Sequence, residues 1–186
     1  HGIGRRQRQM CIRDRVRIHP ERAFVLEGRG LEPLHARSLM LATGGHPGGR
    51  KLVEALGHQV VPPVPSLFSL ALQAPELTGC SGIAIDDVGL DLKLGSQRFR
   101  QTGRVLITHR GLSGPATLRL SAFAARALHQ SRYRGELKLD WSAGLGRQGV
   151  EQRLQQWRQD QARRTLSAAK PFEHLPRRLW QAFLAM

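Results

Sequence analysis

The stretch that most constrains this chain is the apolar run at residues 39–42, which is followed by a threonine and two glycines. Four apolar residues are too few for a helix and too uniformly apolar for a strand with one face in water. Such a run is typical of a strand buried on both faces of a parallel sheet, where ligands bind beyond the carboxyl end. We therefore predict a buried strand here, although an ordinary strand-to-helix turn explains the same residues without a ligand.

Short elements are predicted on both sides of this strand. Residues 23–26 and 34–36 form a hairpin-like lead-in. Residues 50–56 carry a two-turn helical pattern, and Gly57 stands where a helix commonly stops. Three prolines within residues 62–65 exclude a helix and favour an extended crossing, at which we place a domain boundary.

Length and cysteine content limit the class of protein. A chain of 186 residues can form one domain or two small ones, and no apolar run approaches the roughly 20 residues that span a membrane. Cys11 and Cys80 stand far apart in unrelated contexts, which argues against a disulfide framework. These features predict a cytoplasmic protein without a membrane partner.

The formal net charge is +15, and all but four of the 29 basic residues are arginines. Such a charge is common in nucleic-acid-binding proteins. The arginines are scattered, however, and composition alone supports only non-specific electrostatic binding. We therefore predict no specific nucleic-acid partner and keep a basic nucleic-acid-binding module as the alternative. That alternative requires one helical face to be formed by the C-terminal arginines, namely Arg147, Arg153, Arg158, Arg163, Arg164, Arg177 and Arg178.

The N-terminal segment is set apart by its composition. Residues 1–15 lack periodicity and crowd five arginines together, and residues 8–15 resemble a translated sequencing adapter. We predict that residues 1–15 are non-native or disordered and exclude them from the fold.

Residues 66–109 read as antiparallel β-structure. A first strand is predicted at residues 67–72, and strict alternation over residues 88–94 is typical of a strand with one buried face. Predicted turns at residues 95–96 and 102–103 lead into two further strands. A meander of this kind favours a small barrel or sandwich.

The clearest predicted helix begins at Pro115, with Ser113 as its N-cap. A short strand is predicted at residues 136–141, followed by helices at 149–166 and 176–184. The histidines show no spacing typical of a metal site.

Two motif matches have simple explanations. One match to the dinucleotide pattern G-x-G-x-x-G is formed by Gly144, Gly146 and Gly149. The preceding strand, however, alternates polar and apolar residues, and no acidic residue ends a second strand. We therefore interpret this match as chance. The residues around Ser113 resemble a nucleophile elbow, but Pro115 replaces its last glycine, so a capping role is the better interpretation.

Four stretches resemble the HI0933-like (YhiN/BaiN-type) flavoproteins in order and spacing. They are residues 39–45, 52–60, the proline crossing into residues 66–67, and residues 107–116, of which the last is the most specific. The resemblance runs from Val16 onward. Members of this family are FAD-dependent, NAD(P)-linked oxidoreductases.

The resemblance implies a mixed α+β fold with a partial Rossmann-like FAD domain at residues 16–64. An antiparallel β-barrel-like domain at 65–140 interrupts it, and a truncated helical subdomain follows at 141–186. The implied function is hydride transfer between NAD(P)H, FAD and a small organic substrate, with no catalytic residue identifiable. Since the family's N-terminal glycine fingerprint is absent, we expect the chain alone to be inactive and not to bind FAD.

The resemblance also implies two sets of site residues. The first would lie near the flavin and comprises Ala42, Thr43, Gly44 and Gly45. The second would line the active site and comprises Thr108, His109, Gly111, Ser113, Gly114 and Pro115.

Overall fold

The computed structural model describes residues 15–18, 24–28 and 32–186. The chain divides into two compact units, His1–Pro63 and Val64–Met186. The prediction for residues 1–15 falls outside the described residues except at Arg15, so it stays a prediction.

The first unit contains a three-stranded antiparallel sheet. Its strands are β1 (Arg15–Ile18), β2 (Phe24–Glu27) and β3 (Leu34–Ala36), in the order β1-β2-β3. Val25 of the central strand lies opposite Arg17 and His35. The predicted lead-in strands are thus confirmed, with β2 displaced by one residue.

The buried strand predicted at residues 39–42 is wrong. Residues 38–43 have no regular structure, and Met40 is 87% exposed. A strand buried on both faces needs a neighbouring strand on each side to satisfy its backbone. Among the described residues of this unit, the only sheet is antiparallel and does not include this segment.

Helix α1 (Pro47–Ala55) begins three residues earlier than predicted. Pro47 occupies the first turn, where its missing N–H costs nothing. The Nδ1 atom of the preceding His46 accepts a 3.1 Å hydrogen bond from the N–H of Gly48 and caps the helix. Gly57 follows the C-cap with a φ of +85°, which confirms the predicted stop.

The second unit is built on a five-stranded antiparallel sheet in the order β4-β7-β6-β5-β8. The strands are β4 (Leu70–Ala71), β5 (Ala84–Leu94), β6 (Gln97–Thr108), β7 (Gly111–Ser113) and β8 (Glu136–Asp140). The first of these is much shorter than the strand predicted at residues 67–72. The sheet agrees with the expected barrel-like domain, and the protein is of mixed α/β class.

Strand β5 confirms the alternation seen in the sequence. Val88, Leu90, Leu92 and Leu94 are all buried, while the residues between them are not. The turn predicted at residues 102–103 is wrong, because β6 continues through it. The irregularity lies instead in β5, where the register shifts between Ile85 and Val88.

Five α-helices and a 3-10 turn complete the described part of the chain. Helix α3 packs against β5 and β6, and its Leu120 is fully buried. The long helix predicted from Pro115 is broken at Ala124, and α5 starts three residues before the predicted position. The elements after α1 are α2 (Pro75–Thr78), α3 (Pro115–Phe123), α4 (Ala125–Gln130), α5 (Gly146–Asp160), the 3-10 turn (Leu166–Ala168) and α6 (Arg177–Leu184).

One hydrophobic core holds the second unit together. Leu77 of α2 and Leu179 of α6 are buried in the same cluster as β5, β6 and α3. No helix in the described parts of the chain is long and apolar enough to cross a membrane.

Candidate functional site

The residues expected near a flavin form an open turn in the first unit. Gly44 has a φ of +58°, and a Cβ added to either Gly44 or Gly45 would meet no atom within 4 Å. Thr43, by contrast, packs against Gly49 of α1, where an added Cβ would lie 1.8 Å from its hydroxyl oxygen. The turn is therefore held against the helix and leaves room beside its glycines.

The start of α1 is the helix N-terminus next to these glycines, where a flavin phosphate could be expected. Pro47 has no N–H, the Gly48 N–H donates to His46 Nδ1, and the Gly49 N–H donates to the His46 carbonyl at 3.1 Å. A helix N-terminus binds anions through free N–H groups. These residues therefore fit a close approach of a cofactor to the glycines but do not fit a phosphate site.

The expected active-site residues form the turn between β6 and β7 and the start of α3. Thr108 organises this turn, since its hydroxyl accepts from the Gly111 N–H at 3.2 Å and donates to the Gly111 carbonyl at 3.1 Å. His109 lies exposed at the turn. The structure thus brings Thr108, His109 and Gly111 together through local backbone bonding.

The N-cap role predicted for Ser113 is wrong. Gly114 occupies the N-cap position with a φ of +96°, and no side chain caps α3. Ser113 ends strand β7, and its Oγ accepts a 2.8 Å hydrogen bond from Ser69 Oγ. The physical reason is that pairing of β7 with β4 and β6 keeps Ser113 extended, so the helix starts at Pro115.

The dinucleotide-like glycines do not form a nucleotide fold. The strand before them, β8, pairs antiparallel with β5, whereas that fingerprint belongs to a parallel β-α-β unit. Gly146 begins α5 with a φ of +66°. Within the described residues, no group of three or more His, Cys, Asp or Glu side chains could hold a metal ion.

A groove of about 740 Å³ opens in the second unit, which is within the range of roughly 300–1,000 Å³ typical of ligand sites. Its walls come from the segment around β4 and α2, from the inward face of β8, and from α6. Trp141 and Phe183 meet on one wall, with ring centroids 5.7 Å apart. Tyr133 and Arg134 also line the groove.

These last two residues belong to the turn at residues 132–134, which joins α4 to β8. Arg132 and Tyr133 have φ values of +53° and +59°. Left-handed conformations cost non-glycine residues about 1–2 kcal/mol each, so two in succession are unusual. Strain of this kind concentrates at functional positions, which makes the turn a candidate site.

Arginines are distributed unevenly around this turn. Between Asp91 and Glu136 the chain carries eight arginines and no acidic residue. Three of these arginines, all on β6, pair with Asp91 or Asp86. In the described part of the chain, the five others make no ion pair with a carboxylate, namely Arg110, Arg119, Arg126, Arg132 and Arg134.

Asp91 is the hub of the paired arginines. Its carboxylate accepts hydrogen bonds from Arg98 Nε at 3.1 Å and from Arg100 Nε at 3.0 Å. The Arg98 hydrogen bond is the main cause that lowers the pKa of the Asp91 carboxyl below its ordinary value of 3.8, and Arg100 acts in the same direction. These two arginines are therefore partly neutralised, unlike those of the 132–134 turn.

The C-terminal arginines do not present one common free face. Arg153 donates to the carbonyl of Pro171 at 3.1 Å, and Arg178 donates to the carbonyl of Gly79. Arg147 pairs with Glu151 at 2.9 Å. Two further exposed arginines, Arg132 and Arg134, lie in the turn at residues 132–134, which sequence reasoning missed. Its one signal was a tyrosine between two arginines.

The chain is similar in sequence to two curated bacterial enzymes. The chain is 34% identical over 114 residues to the ribosomal RNA dihydrouridine synthase of Escherichia coli strain K12, which covers 55% of this chain and 27% of that protein. It is 31% identical over 120 residues to the protein of the same name from Haemophilus influenzae strain Rd, covering 59% and 29%. The chain thus matches less than a third of the length of either relative.

These relatives correct two expectations. The hydride transfer to a small organic substrate is wrong as the predicted function, and so is the predicted absence of a specific nucleic-acid partner. Both relatives are named for ribosomal RNA. The alternative of a nucleic-acid-binding module agrees better with them, while their names still describe enzymes.

The family resemblance is confirmed. Residues 64–186, which are more than half of the chain, match the family model described as the HI0933-like protein barrel and H2TH domain. The chain therefore belongs to the HI0933-like family.

Proposed function

We propose that this chain is part of an enzyme that reduces uridine to dihydrouridine in ribosomal RNA, and that the second unit contacts the RNA. The observation that carries the proposal is the similarity to two ribosomal RNA dihydrouridine synthases, which extends over more than half of this chain. The excess of arginine in the second unit supports it, because RNA affinity depends strongly on cationic side chains.

Reduction of uracil requires that the protein gain access to atoms within the base. Dihydrouridine forms when the double bond between C5 and C6 of uracil is reduced, and these atoms are covered when the base is stacked. Enzymes that act on a base take it out of the stack. An RNA-contacting unit in such an enzyme must therefore hold the strand in an unstacked form.

A flavin would supply the hydride for one carbon of this double bond, and a proton from an acid or water would complete the other carbon. We take the flavin to be FAD with NAD(P)H as the electron source, following the family resemblance. In this chain the glycines of the 42–45 turn have the open space that a close approach of the cofactor needs. At the start of α1 the N–H groups of Gly48 and Gly49 already have partners, so the phosphates would be held by other residues. Thr108, His109, Gly111, Ser113, Gly114 and Pro115 are proposed as the active-site lining.

The proposal is tested by complementation. The full-length protein that carries this chain is produced in an Escherichia coli strain that lacks its own ribosomal RNA dihydrouridine synthase. Dihydrouridine is then measured by mass spectrometry in digested ribosomal RNA, with transfer RNA from the same cells as control. We expect dihydrouridine to return to the ribosomal RNA and to stay unchanged in transfer RNA. Its continued absence from ribosomal RNA, with the protein present and folded, would refute the proposal.

A further inference from the structure

We propose that Tyr133, flanked by Arg132 and Arg134, forms a subsite that stacks one unpaired base of single-stranded RNA against the lining of the groove. The choice of RNA as the partner rests on the proposed function. The subsite itself is inferred from the geometry, exposure and charge of the turn.

The turn is fixed in place by its backbone. The Tyr133 N–H donates a 2.7 Å hydrogen bond to the carbonyl of Leu128, and the Arg134 N–H donates to the carbonyl of Ser131 at 3.2 Å. On its other side, Gly135 fits so closely against β5 that an added Cβ would lie 2.4 Å from Leu94 Cδ2. The strained conformation is thus held from both ends, and the side chains it presents have defined positions.

The Tyr133 ring is oriented but not covered. It meets Phe68 edge-to-face at a centroid distance of 5.8 Å and His129 at 6.1 Å. Nevertheless 46% of the residue remains exposed. An aromatic ring that is held by neighbours while part of it faces water is suited to receive another flat ring.

The charges beside the ring favour a polyanion. Arg132 and Arg134 are exposed, and in the described structure neither has a carboxylate partner. Arg126 on α4 is also exposed and unpaired within the described residues. Backbone phosphates on both sides of a stacked base would meet these guanidinium groups.

The groove beside Tyr133 offers space in which an unstacked base could bind. Tyr133 and Arg134 form part of its lining, and the rest is largely apolar, including Leu137, Leu139 and Trp141. An apolar wall of this kind suits the face of an unstacked base, whereas the bases of a duplex are stacked on one another and present no free face. The chemistry therefore favours an unpaired strand over a duplex.

The test measures binding of the 186-residue chain to a fluorescent oligouridylate of about 12 nucleotides, which spans a typical single-strand site. Tyr133→Asn removes the ring while keeping a residue that tolerates the left-handed backbone. Tyr133→Phe keeps the ring. Phe123→Ala and Arg147→Ala serve as controls, because Phe123 is 71% exposed and Arg147 lies on α5, both outside the proposed subsite. Circular dichroism confirms that each variant is folded.

We expect Tyr133→Asn to weaken binding about 5- to 100-fold, as for the loss of one stacking platform. Tyr133→Phe and both controls should bind within about twofold of the unchanged chain, and Arg132→Ala should weaken binding and lower its salt dependence. A duplex RNA of the same length should bind more weakly and show no dependence on Tyr133.

Three results would overturn the inference: unchanged binding by folded Tyr133→Asn, an equal loss in Phe123→Ala, or equally efficient competition by polyglutamate, which would indicate charge alone. The outcome is separable from that of the complementation experiment, because binding is read without any turnover. Tyr133-dependent binding without dihydrouridine formation would refute only the proposed function, while dihydrouridine formation without Tyr133-dependent binding would refute only the subsite.

Discussion

Gly111 lies directly beside Leu70, so that a Cβ added to Gly111 would stand 2.1 Å from the Leu70 carbonyl oxygen. Strand β4 crosses next to β7 at this point, with Ala71 opposite Gly111. The φ of Gly111 is +151°, which also disfavours other residues. A glycine that the family resemblance places in the active site therefore has a clear packing role.

The first prediction follows from this contact. Gly111→Ala should lower the free energy of unfolding by about 3 kcal/mol or more, because two backbone segments must separate. Gly95→Ala is the matched control, since Gly95 also has a positive φ but no atom within 4 Å of the added Cβ. It should cost only about 1–2 kcal/mol. Urea unfolding of both variants measures the difference, and equal losses would contradict the predicted clash.

The second prediction concerns Ser113, whose hydroxyl bonds Ser69 at 2.8 Å. Ser113→Ala and Ser69→Ala should each cost about 0.5–1.5 kcal/mol, and the double variant should cost no more than the larger single loss. Ser113→Asp should not restore stability, because Ser113 does not cap α3. A double-mutant cycle in urea tests this. Additive losses would show that the two hydroxyls do not interact, and a stabilised Ser113→Asp variant would support the capping role instead.

The third prediction uses the pH dependence of Asp91. Its pKa is lowered in the folded protein, so its stabilising effect is present above the unfolded pKa and is lost as the pH falls through the folded value. Arg98→Ala should move the Asp91 pKa upward toward 3.8. Nuclear magnetic resonance titration of the Asp91 carboxyl carbon gives both values. An Asp91 pKa that stays unchanged in Arg98→Ala would show that the hydrogen bond seen here is not its main cause.

The same residue gives a stability test. Asp91→Asn should destabilise the protein near neutral pH, where the carboxylate is charged, and the difference from the unchanged chain should shrink as the pH falls below 3.8. Unfolding by urea at several pH values measures this difference. A difference independent of pH would mean that the arginine contacts of Asp91 contribute nothing to folding.

The sequence pattern predicted those elements of the fold that are set by residues close to one another in the chain. The alternation of buried and exposed residues along β5 and the end of α1 before Gly57 could both be predicted, because each is set by neighbouring residues. The prediction of a strand at residues 39–42 was wrong because a buried parallel strand needs partner strands that its own sequence does not specify. The N-cap role predicted for Ser113 was wrong for a similar reason, since the pairing of β7 with strands distant in sequence decides where α3 begins.

The candidate site was harder to predict than the fold. The turn at residues 132–134 carries no glycine or asparagine that would mark a left-handed backbone, although both Arg132 and Tyr133 adopt it. The ring contacts of Tyr133 reach Phe68, which is far away in sequence. The family resemblance indicated an oxidoreductase, but nothing in the chain's motifs distinguished a small substrate from RNA.

The most direct measurement of the central claim is ultraviolet crosslinking in living cells. The full-length protein that carries this chain is crosslinked and purified under denaturing conditions, and its bound RNA and crosslinked peptides are identified. We predict crosslinks to one region of ribosomal RNA that contains the modified uridine, with the crosslinked peptide at residues 132–134. Crosslinks spread over all cellular RNA in proportion to abundance, or none from the second unit, would contradict the account.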